Sequence, residues 1–158
     1  MPGDARKLAL IATKGELDMA YPPFILASTA VAMGYEVGMF FSFYGLHLLR
    51  KDLGCIKLSP VGNPAMPMPV PMPALATVLP GMEGMATRMM KSQMGRKGIA
   101  SLEELRTVCQ QGGVRLIACD MTMNMFDLSY EDFIDGVEIG GAATFLDYAC
   151  DADIQLFV

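Results

Sequence analysis

Gly113-Val114-Arg115-Leu116-Ile117-Ala118-Cys119-Asp120-Met121-Thr122-Met123-Asn124-Met125 is the stretch that decides the fold. Its first half is a short apolar run behind a glycine pair, the pattern of a strand buried on both faces. Its second half carries residues that start a helical turn. The thiol of Cys119 stands at the junction, where backbone N–H groups and a helix dipole stabilise a thiolate. The competing reading is a small buried apolar side chain. Position alone leaves both open.

Outward from this junction the same alternation recurs. Residues 7–13 (KLALIAT) read as a first buried strand, followed by a turn in which Gly15 takes a positive φ. An apolar helix is expected over 19–33, with Pro22 and Pro23 in its first turn and Gly34 closing it. Residues 36–42 (EVGMFFS) form a second strand, 44–52 a short helix, and 55–58 a short third strand. A Met-rich helix is expected over 82–93. Ser101-Leu102-Glu103-Glu104 is a capping box for a helix to about Gln111, ended by Gly112-Gly113. Residues 114–119 are the fourth strand, 121–126 a helical turn, and 129–133 a short helix with a weaker capping pattern from Ser129 and Asp132. Residues 137–141 lead into a helix ending near Cys150, and 153–158 (DIQLFV) are the last strand. This order specifies a three-layer α/β/α sandwich around a mostly parallel sheet of about five strands, flavodoxin-like in kind. The chain reads as a single domain over 1–158, with a Met/Pro-rich insertion or flap at about 62–80. Strand order is not written in the string.

Composition narrows the function. The chain has 158 residues, 53% hydrophobic and 18% charged, which points to a homo-oligomer that covers apolar surface with copies of itself. A net charge of −5 argues against nucleic acid. The four cysteines show no CxxC pair and no zinc spacing with the sole histidine, His47. Free thiols and the lack of an apolar leader give a cytoplasmic expectation. Prolines 67, 69, 71, 73 and 80 break the uncharged stretch over 65–82, so it is no spanning helix, although peripheral membrane contact stays open.

All parallel strands end at one rim, and sites gather there. That rim collects Thr13-Lys14-Gly15, Phe43-Tyr44 and Cys119-Asp120-Met121, with Cys119 as the reactive candidate and Lys14, Gly15, Tyr44, Met121, Thr122, Met123 and Asn124 as the residues that would bind its substrate. There is no dinucleotide fingerprint, P-loop or nucleophile elbow. A Cys119–His47 dyad is a minor alternative to an unassisted thiol. Met66, Met68 and Met72 with Met121, Met123 and Met125 form a soft-ligand set for Cu(I), against the reading of Met as adaptable filler. Cys109 reads as packing and Cys55 as a buried residue near a strand. Cys150 sits at a helix end before Asp151 and Asp153, whose carboxylates would raise a thiol pKa, the wrong direction for a nucleophile, so a secondary sulfur site there is only a minor alternative.

Four segments together resemble the DsrE/DsrF/DsrH-like superfamily, in its second-type DsrE branch. They are residues 8–49, 82–94 (MEGMATRMMKSQM), 116–128 (LIACDMTMNMFDL) and 136–158. The resemblance implies a DsrE-like fold and sulfur trafficking, with sulfur carried on the cysteine matching Cys119. It implies oligomers, a TusA-like carrier and a rhodanese-like donor as partners. On this reading no metal or organic cofactor takes part. Lys14 adds positive charge, Asp120 points away from the thiol, and the N–H groups near Met121 to Asn124 hold the persulfide. A scaffold subunit with a Met-rich interaction surface and a Cu(I)-binding protein are the alternatives.

Overall fold

The computed structural model describes residues 5–58 and 81–158. Strands β1 (Lys7–Ala12), β2 (Glu36–Phe41), β3 (Arg115–Cys119), β4 (Val137–Gly140) and β5 (Ile154–Phe157) form one sheet in the order β4-β3-β2-β1-β5. Every neighbouring pair is parallel. Helices are α1 (Leu17–Ala32), α2 (Met82–Arg96), α3 (Leu102–Gln111), α4 (Asp120–Met125) and α5 (Ala142–Ala149), with 3-10 helices at Phe43–Leu49 and Tyr130–Asp132. The expected Met/Pro-rich insertion lies outside the described residues.

The path of the chain sets the layers. From β1 to β4 it steps across the sheet in one direction, so right-handed crossovers lay α1 and α3 on one face. From β4 it returns past β1 to β5, which sends α5 over the opposite face. Side-chain alternation follows. Leu8, Leu10, Val37, Met39, Leu116 and Ala118 join α1 and α3 in the larger core. Ala9, Phe40, Ile117 and Cys119 meet Phe145, Tyr148 and Ala149 in a thinner layer under α5.

Three expectations are corrected. Residues 55–58 are not a strand: Lys57 O accepts from Leu17 N at 2.8 Å and Leu58 N donates to Thr87 Oγ1 at 3.0 Å, so the backbone serves α1 and α2 instead. The fifth strand is β4, which lies at an edge with β3 as its neighbour. Helix α1 starts at Leu17, so Pro22 and Pro23 fall in its second turn, not its first. The carbonyls of Asp18 and Met19 thereby lack their usual helical donors.

The start of α3 and the end of α1 behave as read. Ser101 N donates to Glu104 Oε2 at 2.6 Å and Glu104 N to Ser101 Oγ at 3.2 Å, completing the capping box of α3. Gly34 follows α1 with φ +81°. Among the described residues no helix is long and apolar enough to cross a membrane.

Candidate functional site

The C-terminal rim is tightly built. Ser42 N donates to Ala12 O at 3.1 Å and Gly45 N to Thr13 O at 3.0 Å, which locks the loop after β2 against the loop after β1. Gly15 does not take a positive φ. A Cβ there would lie 2.5 Å from the carbonyl oxygen of Tyr44, so glycine is required by close approach, not by turn conformation.

Cys119 ends β3 opposite Gly140 of β4 and is the N-cap of α4, with φ −69° and ψ 115°. It sits at the rim and at a helix start, as its sequence context indicates. It is nevertheless only 4% exposed. Alternation along β3 turns Ile117 and Cys119 toward α5, among Phe40, Phe145 and Tyr148. Asp120 is exposed, and its Oδ1 accepts from Met121 N at 2.7 Å. That N–H, expected to face the sulfur, is therefore engaged by Asp120.

The other rim residues divide. Thr122 is 1% exposed; its Oγ1 lies 3.1 Å from Ser42 Oγ and accepts from Phe43 N at 3.3 Å. This hydroxyl ties the start of α4 to the end of β2. Met123 enters the larger core, whereas Met121, Asn124 and Met125 are exposed. The three methionines thus do not converge, as a Cu(I) site would need. Met66, Met68 and Met72 lie outside the described residues. Among the described residues no group of three or more His, Cys, Asp or Glu is arranged to hold a metal ion. Lys14 is exposed on the β1–α1 loop.

Tyr44 is exposed and stacks into an aromatic layer, 5.6 Å from Phe126 and 6.4 Å from His47 between ring centroids. His47 and Phe126 are 5.8 Å apart. Burial and then the nearby Arg50 charge hold the His47 pKa below its ordinary value, so the ring is neutral at pH 7. No hydrogen bond joins His47 to Cys119, and the dyad geometry is absent. Phe43 holds φ +48°, a left-handed conformation that non-glycine residues seldom adopt.

The remaining thiols differ. Cys109 is fully buried, donates to Phe24 O at 3.8 Å, and is pushed up to about 11 by burial. Cys55 is exposed, against the expectation of burial, because 55–58 leaves the sheet. Cys150 is exposed at the C-cap of α5.

Sequence reasoning placed Phe43 at the rim but missed Ser42, Phe126 and Gly140 as parts of it. Ser42 closes the expected second strand, so its position was available. The φ of Phe43 and the reach of Phe126 carry no local signal.

The sequence model of the DsrE/DsrF/DrsH-like family matches residues 4–157. The chain is 56% identical over 159 residues to the sulfur carrier protein DsrE2 of Allochromatium vinosum, covering 98% of this chain and 99% of that one. It is 28% identical over 162 residues to the uncharacterized protein YrkE of Bacillus subtilis, covering 100% of both. Among solved structures, the fold is similar to the YchN protein of E. coli, with a TM-score of 0.55, 13% identity, and coverage of 97% and 99%.

Proposed function

This chain belongs to the DsrE/DsrF/DrsH-like family, and we propose that it is a sulfur-trafficking protein that holds sulfane sulfur as a persulfide on Cys119. The observation that carries the assignment to Cys119 is its place: the last residue of β3, at the rim where the parallel strands end and where α4 begins. The 56% identity to a sulfur carrier supports the class of chemistry.

The transfer is a thiol exchange. The Cys119 sulfur attacks the outer sulfur of a donor persulfide, R–S–SH. The donor S–S bond breaks and a new one forms on Cys119. R–SH leaves with the proton that Cys119 gives up. An acceptor thiol repeats the exchange in the outward direction. No oxidant, metal or organic cofactor enters the balance.

Burial sets the condition for this exchange. With 4% of Cys119 exposed, the sulfur is shielded from bulk water and stray thiols, and a donor reaches it by displacing the α5 side chains that cover it. Phe43, Tyr44, Met121 and Met125 expose apolar surface at that rim, suited to a protein partner. A TusA-like carrier and a rhodanese-like donor, a homo-oligomeric state, and a cytoplasmic, reducing setting belong to the same proposal.

Incubation with a persulfide donor followed by mass spectrometry tests it. An adduct of about +32 Da, one sulfur atom, is expected on the peptide carrying Cys119. Cys119→Ser removes it. An adduct that persists undiminished in Cys119→Ser overturns the assignment. The burial of Cys119 favours one second reading, a scaffold subunit with an inert thiol. Failure of Cys119 to accept sulfur from any donor, in a chain whose exposed thiols do react, selects that reading.

A further inference from the structure

A cavity of about 240 Å³ opens beside the rim, lined by Glu16, Tyr44, His47, Arg50, Cys55 and Lys57 among others. Its volume equals roughly eight waters of liquid and is below the range of drug-sized sites. It therefore suits a molecule of amino-acid size.

The lining is chemically unfinished. Glu16 Oε2 and His47 Nδ1 are buried without a hydrogen-bond partner. Asp18 Oδ1 shares that condition, but Asp18 does not line the cavity. Glu16 is the N-cap of α1, yet its side chain makes no cap bond, so the helix does not use this carboxylate. A buried acceptor without a donor is costly, and an ammonium group is the complement of a carboxylate oxygen. Arg50, which also lines the cavity, offers the complement of a carboxylate. The Cys55 thiol, five residues after Arg50, lines the same space and donates to Asp52 O at 3.7 Å.

We propose that this cavity binds a sulfur-bearing amino acid of cysteine size, with its ammonium at Glu16, its carboxylate at Arg50 and its sulfur facing Cys55. The proposal does not depend on Cys119 carrying sulfur. It makes Cys55 a second sulfur position, addressed by a small molecule where the Cys119 rim is addressed by a protein.

Thiol–disulfide exchange in the Cys119→Ser chain tests it. The probes are cystine, which carries both charged groups, and bis(2-hydroxyethyl) disulfide, which carries neither. In each case the Cys55 sulfur attacks the probe, the probe's S–S bond breaks, and the released thiol takes the proton from Cys55. Exposed Cys150 is the internal standard. The cystine preference at Cys55, divided by that at Cys150, is expected to be about tenfold, the effect of one charge-assisted contact. Glu16→Gln and Arg50→Gln are each expected to reduce it severalfold. Continued protection of buried Cys109 reports that each variant is folded. Equal preferences at Cys55 and Cys150 overturn the proposal, as does a preference that survives either substitution in a folded chain. Because Cys119 is absent throughout, neither result bears on the rim thiol.

Discussion

Cys109 and Cys119 are both buried thiols, and they serve opposite faces of one sheet. Cys109 lies on α3 in the core shared by α1, α3 and the sheet, where burial pushes its pKa to about 11 and leaves it inert. Cys119 lies in the thin layer that α5 alone covers, at the end of its strand and the start of a helix. Burial of the side chain is alike. What differs is how much structure must move to uncover each sulfur. Cys109 is walled in by two long helices, Cys119 by side chains of one eight-residue helix and a short rim turn. The carrier role proposed for Cys119 needs the second arrangement, closed at rest and readily opened.

The largest expected effect sharpens this difference. Phe24, fully buried on α1, lies 5.9 Å from Phe41 between ring centroids. Phe145 on α5, 5% exposed, stacks on Phe40 at 5.2 Å. Phe24→Ala is expected to cost about 4 to 5 kcal/mol and Phe145→Ala about 3 kcal/mol, because the α5 layer has fewer neighbours to lose. Urea unfolding of both variants reads the two values. Phe145→Ala should also speed alkylation of Cys119 while leaving Cys109 protected. Equal losses in stability, with no change at Cys119, would break the comparison.

An intermediate effect comes from Gly38. A Cβ at this position would run into the ring of Tyr148. That ring lies on the strand backbone with the Lys7 ammonium 4.9 Å from its centroid and the Arg115 guanidinium 5.5 Å away. Burial is the main reason that the Tyr148 phenol is pushed up to about 12. Gly38→Ala is expected to cost about 1 to 3 kcal/mol as the ring is displaced. Its spectrophotometric titration should then move back toward the ordinary tyrosine value near 10. An unmoved titration would show that the α5 layer absorbs the methyl without shifting the ring.

Legibility in the sequence followed the same division. The strands of the thick core were readable because apolar runs such as 36–42 have both faces covered, and the capping box of α3 marked its start. The β3–α4 junction was readable for the same reason, and with it the rim position of Cys119. Which face its thiol takes was not. Leu116, Ile117 and Ala118 are all apolar, so alternation gives two classes without saying which one lies under α5. Strand β4 was hidden because Val137–Gly140 is short and contains a glutamate and a glycine; its extended form is stabilised by β3, not by local preference. Residues 55–58 fail in the opposite sense. Their apolar Ile56 and Leu58 suggest a strand, but tertiary bonds to Leu17 and Thr87 take the backbone elsewhere. The cavity beside Cys55 was unreadable because Glu16, Arg50 and Cys55 come together only through that path.

The smallest expected effect concerns the edge that β4 adds to the thin side. Arg115 Nε donates to Glu138 Oε2 at 2.6 Å and Nη2 to Oε1 at 2.8 Å, a bidentate pair across β3 and β4. Both side chains are about 40% exposed, at 40% and 39%, so water screens the pair and Glu138→Gln should cost less than about 1 kcal/mol. The hydrogen bond from Arg115 holds the Glu138 pKa below its ordinary 4.5. A folded pKa below the unfolded one means that the unfolded chain binds the proton more readily. The contribution is therefore present above pH 4.5 and is lost as pH falls through the folded value. Comparing the stability of wild type and Glu138→Gln at pH 7 and pH 4, at low and high salt, isolates it. The difference should shrink on acidification and on adding salt. A difference that exceeds about 2 kcal/mol and ignores salt would mean that this edge is sealed from solvent, and that the α5 side is thicker in solution than one helix makes it.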